Sequence, residues 1–254
     1  MTVRVGVVVF PGSNCDRDAM HAVGLAGAEA VELWHEQADL GGVDAVILPG
    51  GFAYGDYLRA GVIARFSPVM QAVAAFAAHG GLVLGVCNGF QVLAEAGLVP
   101  GALLRNRSLR FVCREVTIRA ERTDSPFTSA VPPGSVLRMP VAHGEGCYYA
   151  DEAELDAFEH DGQVLFRYVH ADGSPAFAPA DAANPNGSAR GIAGVASASG
   201  NVAGLMPHPE RAAEALLGSD DGMWILRSLV DSAARRSSEP RRDSAGTPAA
   251  GAVR

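Results

Sequence analysis

The heptapeptide Gly85-Val86-Cys87-Asn88-Gly89-Phe90-Gln91 follows directly on an apolar run, Leu82-Val83-Leu84. A cysteine with glycines two residues before and two after it, between a buried strand and a helix, has the pattern of a nucleophile elbow. The glycines leave room for a strained strand-to-helix turn that lifts the side chain above the sheet edge. At a helix N-terminus the dipole and the free amides favour the thiolate. The amide of Asn88, next in the chain, is placed to donate to a tetrahedral oxyanion. Most isolated cysteines are small buried hydrophobes, but the flanking glycines and the strand–helix junction favour a reactive Cys87.

A nucleophilic thiol needs a base, and the chain has 7 histidines. His208 stands out because Pro207-His208-Pro209-Glu210 closes an apolar run, Val202 to Met206. The two prolines predict extended backbone, which would send His208 and Glu210, two residues apart, toward one side. Glu210 would then bond one ring nitrogen and aim the other at the thiol, completing a Cys-His-Glu triad. His143, in His143-Gly144-Glu145-Gly146, is second in line because its glycines allow close approach. His21, His79 and His160 lie in polar surroundings and read as solvated.

A second glycine cluster, Pro49-Gly50-Gly51-Phe52, ends another apolar run. It lies where open α/β sheets bind ligands, outside the carboxyl end of a strand. Its Gly51 amide is the candidate second oxyanion donor. A plain strand-to-helix turn is the competing reading of the same glycines.

The elements that must position these residues are legible as alternating runs. Residues 3–10, 44–48 and 82–86 read as short strands, apolar except for Arg4 and Asp44. Residues 16–28, 68–78 and 89–96 carry helical spacing, with Ser67 as expected N-cap and Gly80 just past the second helix. Strands apolar on both faces, alternating with helices, predict an α/β fold with a mostly parallel central sheet covered on both sides. Beyond Pro100 the pattern turns to strands around 111–119, 136–142, 164–169, 192–197 and 202–206, then an amphipathic helix over 222–234. The predicted domain is 1–234, and the Ser-, Pro-, Ala- and Arg-rich stretch 235–254 reads as a disordered tail.

Composition excludes several classes. Of 254 residues, 48% are hydrophobic and 19% charged, and the net charge of −8 argues against a nucleic-acid-binding surface. All 20 basic residues are arginine. A chain without lysine forms no Schiff base and completes no GxxxxGK[ST] phosphate loop. The cysteines, Cys15, Cys87, Cys113 and Cys147, form no CxxC pair and no zinc-type cluster, so no metal is expected. Nothing resembles a signal peptide or an 18-residue membrane span. Reduced thiols in the cytoplasm are the expectation.

The elbow, Pro49-Gly50-Gly51-Phe52 and Pro207-His208-Pro209-Glu210 together resemble the class I, triad-type glutamine amidotransferases. Further stretches carry the likeness toward the purine-biosynthetic branch of that family: Ser13-Asn14-Cys15-Asp16, Gly55-Asp56-Tyr57-Leu58-Arg59, Asn106-Arg107-Ser108-Leu109-Arg110-Phe111, His143-Gly144-Glu145-Gly146, Asn184-Pro185-Asn186-Gly187-Ser188 and His208-Pro209-Glu210-Arg211. The resemblance covers residues 3 to about 232. It implies a three-layer α/β/α, flavodoxin-like fold and hydrolysis of L-glutamine through a thioester on Cys87. It also implies contacts to glutamine from Gln91, Asn106, Ser108 and Phe111.

By the same resemblance the ammonia would pass to a separate synthetase subunit, which converts formylglycinamide ribonucleotide to its amidine. A small accessory subunit would complete the complex. ATP and magnesium are expected on the synthetase, and no cofactor on this chain. A glutaminase subunit of another ammonia-using synthase and a GxCxG-elbow cysteine hydrolase both remain compatible with the elbow. A non-catalytic flavodoxin-like module with Cys87 merely buried is the third alternative.

Overall fold

The computed structural model describes residues 2–238. In chain order the elements are β1 (Arg4–Val9), α1 (Asp16–Leu25), β2 (Glu29–Trp34), β3 (Ala45–Leu48), α2 (Pro68–Ala78), β4 (Leu82–Val86), α3 (Asn88–Glu95), β5 (Ala102–Leu104), β6 (Val112–Ala120), β7 (Val136–His143), β8 (Cys147–Tyr149), α4 (Glu152–His160), β9 (Val164–Val169), β10 (Ile192–Ala196), β11 (Val202–Leu205) and α5 (Met223–Ser238).

Nine strands form one sheet in the order β2-β1-β3-β4-β11-β10-β9-β6-β7. The five from β2 to β11 pair in parallel. The remaining pairs, from β11 out to β7, are antiparallel. The parallel part consists of strands that are buried on both faces: every residue of β3, β4 and β11 is buried. Such strands need helices on both sides, and α1 packs with α5 while α2 and α3 meet at the turn over Ala64–Phe66.

Register explains why distant motifs converge. β4 lies between β3 and β11, with Gly85 opposite both Leu48 and Gly204. The three strands run in one direction, so their carboxyl ends form one row. β3 delivers the Gly50-Gly51 turn, β4 delivers Cys87 and β11 delivers His208. Gly89 lets α3 cross closely behind this row: a Cβ there would lie 1.9 Å from the Leu48 carbonyl oxygen.

Some local expectations change. Ser67 is the N-cap of α2, but its hydroxyl donates to the Ala64 carbonyl at 2.7 Å rather than accepting from a helix amide. Helix α5 continues to Ser238, past the expected tail boundary at 234. Arg235 and Arg236 stand in its last turn, where cations suit the helix dipole. The rest of the expected tail, 239–254, lies outside the described residues. Among those described, no helix is long and apolar enough to cross a membrane.

Candidate active site

Cys87 joins β4 to α3 with φ 50° and ψ −105°. A non-glycine residue held there costs on the order of 1–3 kcal/mol, so the neighbours must fix it. Its N–H donates to the Leu205 carbonyl at 2.8 Å, and its own carbonyl accepts from the Gln91 N–H at 3.1 Å. The side chain is nearly buried, with Sγ 3.7 Å from the Ala142 carbonyl oxygen at the end of β7.

His208 is anchored to the antiparallel half of the sheet by its N–H, which donates to the Pro140 carbonyl at 2.9 Å. Its Nδ1 lies 2.5 Å from Glu210 Oε1, and both side chains are 2% exposed. The pair does not arise from extended backbone as expected. His208 is extended, but Pro209–Arg211 forms a turn of 3-10 helix. A proline's fixed φ suits the first position of such a turn, and the turn folds Glu210 back onto the ring.

Burial alone would lower the His208 pKa. The Glu210 carboxylate, then Cys87, and contacts with the Cys15 and Cys87 thiols outweigh burial and hold it well above the usual imidazole value. Nδ1 toward the carboxylate carries the proton, and Nε2 has no hydrogen-bond partner. Among the described residues four buried side-chain polar atoms lack a partner: Thr128 Oγ1, His143 Nε2, His208 Nε2 and Glu210 Oε2. Three of these belong to the surroundings of Cys87. Unpaired buried polar groups are rare enough to mark a site that a ligand completes.

Gly50 is a glycine for a steric reason. A Cβ there would lie 2.6 Å from His208 Cε1 and 3.1 Å from Cys15 Sγ. Gly51 is held by an antiparallel bridge to Ser13. It lines, with Phe52, Asp56, Cys87, Gln91, Phe111 and His143 among others, a hollow of about 180 Å³. The Phe52 N–H is taken by the Gly12 carbonyl at 3.0 Å. Asn88 stands at the first position of α3, where amides have no intrahelical acceptor.

The other predicted contacts divide. Gln91 lines the hollow, but both ends of its amide are engaged: Oε1 accepts from Asn88 Nδ2 at 2.8 Å, and Nε2 donates to the Glu145 carbonyl at 2.6 Å. Phe111 lines the hollow and stacks on Phe52 at 6.5 Å. Asn106 is wholly buried and does not line it. Its Nδ2 donates to the Arg110 and His143 carbonyls, and its Oδ1 accepts from the Gly146 N–H and meets His143 Nδ1 at 3.1 Å. That amide is saturated by the chain, and Asn106 shapes the 143–146 loop. Ser108 is exposed, accepts from the Arg110 N–H and does not line the hollow either.

Two participants, Cys15 and Asp56, were not singled out from sequence, and a third, His143, ranked second there. Cys15 is buried beside His208, and Arg211 donates to its Sγ at 3.1 Å. Cys15, His208 and Glu210 place ligand-type atoms within 4.8 Å of one another. The Arg211 guanidinium on the thiol opposes a metal cation there. Asp56 Oδ1 accepts from Asn88 Nδ2 at 3.1 Å, and burial raises its pKa to about 6. His143, the second-choice histidine, is driven to a pKa of about 4, first by burial and then by repulsion from His208. It is a neutral imidazole, and its bond to Asn106 Oδ1 places the proton on Nδ1.

Residues 2–224 match the CobB/CobQ-like glutamine amidotransferase domain. The chain belongs to this family. Among amidotransferase relatives, the phosphoribosylformylglycinamidine synthase subunit PurQ of Rubrobacter xylanophilus is 63% identical over 228 residues, covering 90% of this chain and 98% of the relative. The PurQ subunit of Salinibacter ruber is 60% identical over 232 residues, covering 91% and 97%. A chain in the structure of PurLQS from Thermotoga maritima is 43% identical, with a TM-score of 0.79 over 91% of this chain and 99% of that one. This amidotransferase thus shares both sequence and fold with subunits of one synthase along nearly their whole length.

Proposed function

We propose that this amidotransferase is the glutaminase subunit of a phosphoribosylformylglycinamidine synthase, with Cys87, His208 and Glu210 as its catalytic groups. The observation that carries the assignment of residues is the row of strand ends. It brings a strained thiol and the Gly51 turn to one hollow, with the His208 imidazole, its Nε2 unpartnered, delivered by the neighbouring strand end.

The chemistry follows from those positions. With its pKa raised, His208 takes the Cys87 proton onto Nε2 before the attack, and Sγ adds as the thiolate to the side-chain amide carbon of glutamine. The carbonyl oxygen, now negative, is stabilised by the N–H groups of Gly51 and Asn88. His208 returns the proton to the leaving nitrogen, so ammonia departs and a γ-glutamyl thioester remains on Cys87. Water, deprotonated by the same imidazole, then attacks the thioester, releasing glutamate and restoring the thiol. Glu210 fixes the ring and its tautomer throughout.

The ammonia is used by a separate ATP-dependent synthetase subunit, which with a small accessory subunit completes the complex. The PurQ relatives and the PurLQS likeness support this assembly. Four free cysteines support a cytoplasmic setting. In the assembled complex, Cys87→Ala should abolish glutamine-dependent amidine formation and leave ammonia-dependent formation intact. Glutamine-dependent turnover by the variant would refute the assignment of Cys87.

A further inference from the structure

The hollow beside Cys87 contains two carboxylates, Asp56 and Glu145, and no arginine. Glu145 has a counter-ion, since Arg105 Nε lies 3.6 Å from its Oε1. Asp56 has none: among the described residues it joins no ion pair, and its one side-chain partner is the neutral Asn88 amide. Half-buried, uncompensated and facing Glu145, its charge is unfavourable as the site stands, which is why its pKa rises. A cation entering the hollow would relieve that cost.

Glutamine brings such a cation. Its α-ammonium is carried on the carbon three bonds from the amide carbon, so a molecule gripped by its amide at Cys87 puts its ammonium inside the same hollow. The carboxylate would then face the adjoining depression, which shares Phe111, Gly144 and Glu145 with the hollow and contains Arg105 and Arg110. Asp56 is also held in place for this purpose. The Asn88 side chain that donates to it also accepts from the Ala53 N–H at 2.9 Å. This single amide therefore ties the loop bearing Asp56 to the residue next to the nucleophile.

Resting on the glutaminase reading above, we propose that Asp56 is the specificity determinant for the α-ammonium group of glutamine. It selects the amino acid over simple γ-amides through one charge-assisted hydrogen bond. Such bonds are worth enough to separate substrates by about 10- to 100-fold.

The test compares ammonia release by the assembled complex from L-glutamine and from glutaramate, the same amide without the amino group. Asp56→Asn is the conservative change, because the residue has φ 51° and asparagine tolerates that region well. The wild type should prefer glutamine. In Asp56→Asn the ratio of kcat/KM values for the two amides should fall by at least about tenfold, chiefly through KM for glutamine. Labelling of Cys87 by iodoacetamide at the wild-type rate shows that the elbow is intact. If that variant misfolds, Asp56→Gly removes the carboxylate where glycine suits the backbone, and the same fall is expected. A ratio within about threefold of wild type in a folded variant overturns the role of Asp56 alone. Failure of the wild type to release ammonia from glutamine overturns the glutaminase reading itself.

Discussion

Glu210 Oε1 lies 2.5 Å from His208 Nδ1, in a pair whose side chains are each 2% exposed and whose remaining polar atoms, His208 Nε2 and Glu210 Oε2, are buried with no hydrogen-bond partner. Such a pair is a device for holding one imidazole in one tautomer. Glu210→Gln should keep the fold but leave the ring poorly oriented, lowering glutamate release. His208→Ala removes the proposed base and should cost roughly 10²–10⁴-fold. Because the groups act as a unit, the double variant should be little worse than His208→Ala. Steady-state glutamate release by the three variants checks this, and multiplicative losses would remove Glu210 from the site.

The contact between Gly50 and His208 yields a second expectation. Adding one methyl group at Gly50 puts carbon 2.6 Å from His208 Cε1, and the ring must move. Displacing a catalytic group by about 1 Å typically costs on the order of 10²-fold. Gly50→Ala should therefore lose glutaminase activity by about that factor, while overpacking destabilises the fold by only about 1–3 kcal/mol. Glutamate release and urea unfolding of the same variant separate the two effects; wild-type turnover would show that the ring position is not critical.

His143 makes stability depend on acid. Its imidazole titrates near pH 4 in the folded chain and near 6.5 when unfolded. Between those values the unfolded chain binds the extra proton, so stability falls as the pH drops through that window. For this one buried group the loss is on the order of 3 kcal/mol. Urea unfolding of wild type and His143→Gln from pH 7 to pH 4 isolates it, because other titrating groups are common to both. Parallel curves for the two proteins would contradict a neutral, buried His143.

The parts legible in the sequence were those where local chemistry and fold agree. Strands β3, β4 and β11 announced themselves because burial on both faces demands unbroken apolar runs. Cys87 was legible because an elbow needs its glycines at fixed offsets. β2 escaped notice because it is an edge strand with Glu29 and Glu32 in it, so no apolar run marks it. Helix α4 has a local signal, the capping box of Asp151 and Glu154 at its start, but Leu155 is its one buried residue, so no apolar stripe marks it.

The roles of Asn106 and Cys15 were not legible, because both depend on tertiary neighbours. Asn106 is saturated by Arg110, His143 and Gly146, and a motif match cannot distinguish an amide that binds substrate from one that binds the loop around it. Cys15 meets His208 only because β1 and β11 both deliver chain to the carboxyl edge of one sheet.

The most direct test of the whole account is to trap the covalent intermediate. The assembled complex, turning over glutamine, is quenched in acid, digested and examined by mass spectrometry for a γ-glutamyl group. The account predicts the thioester on the peptide carrying Cys87, and its absence from the peptides carrying Cys15, Cys113 and Cys147. A glutamyl group on another cysteine, or brisk glutamate release by a complex containing Cys87→Ala, would contradict it.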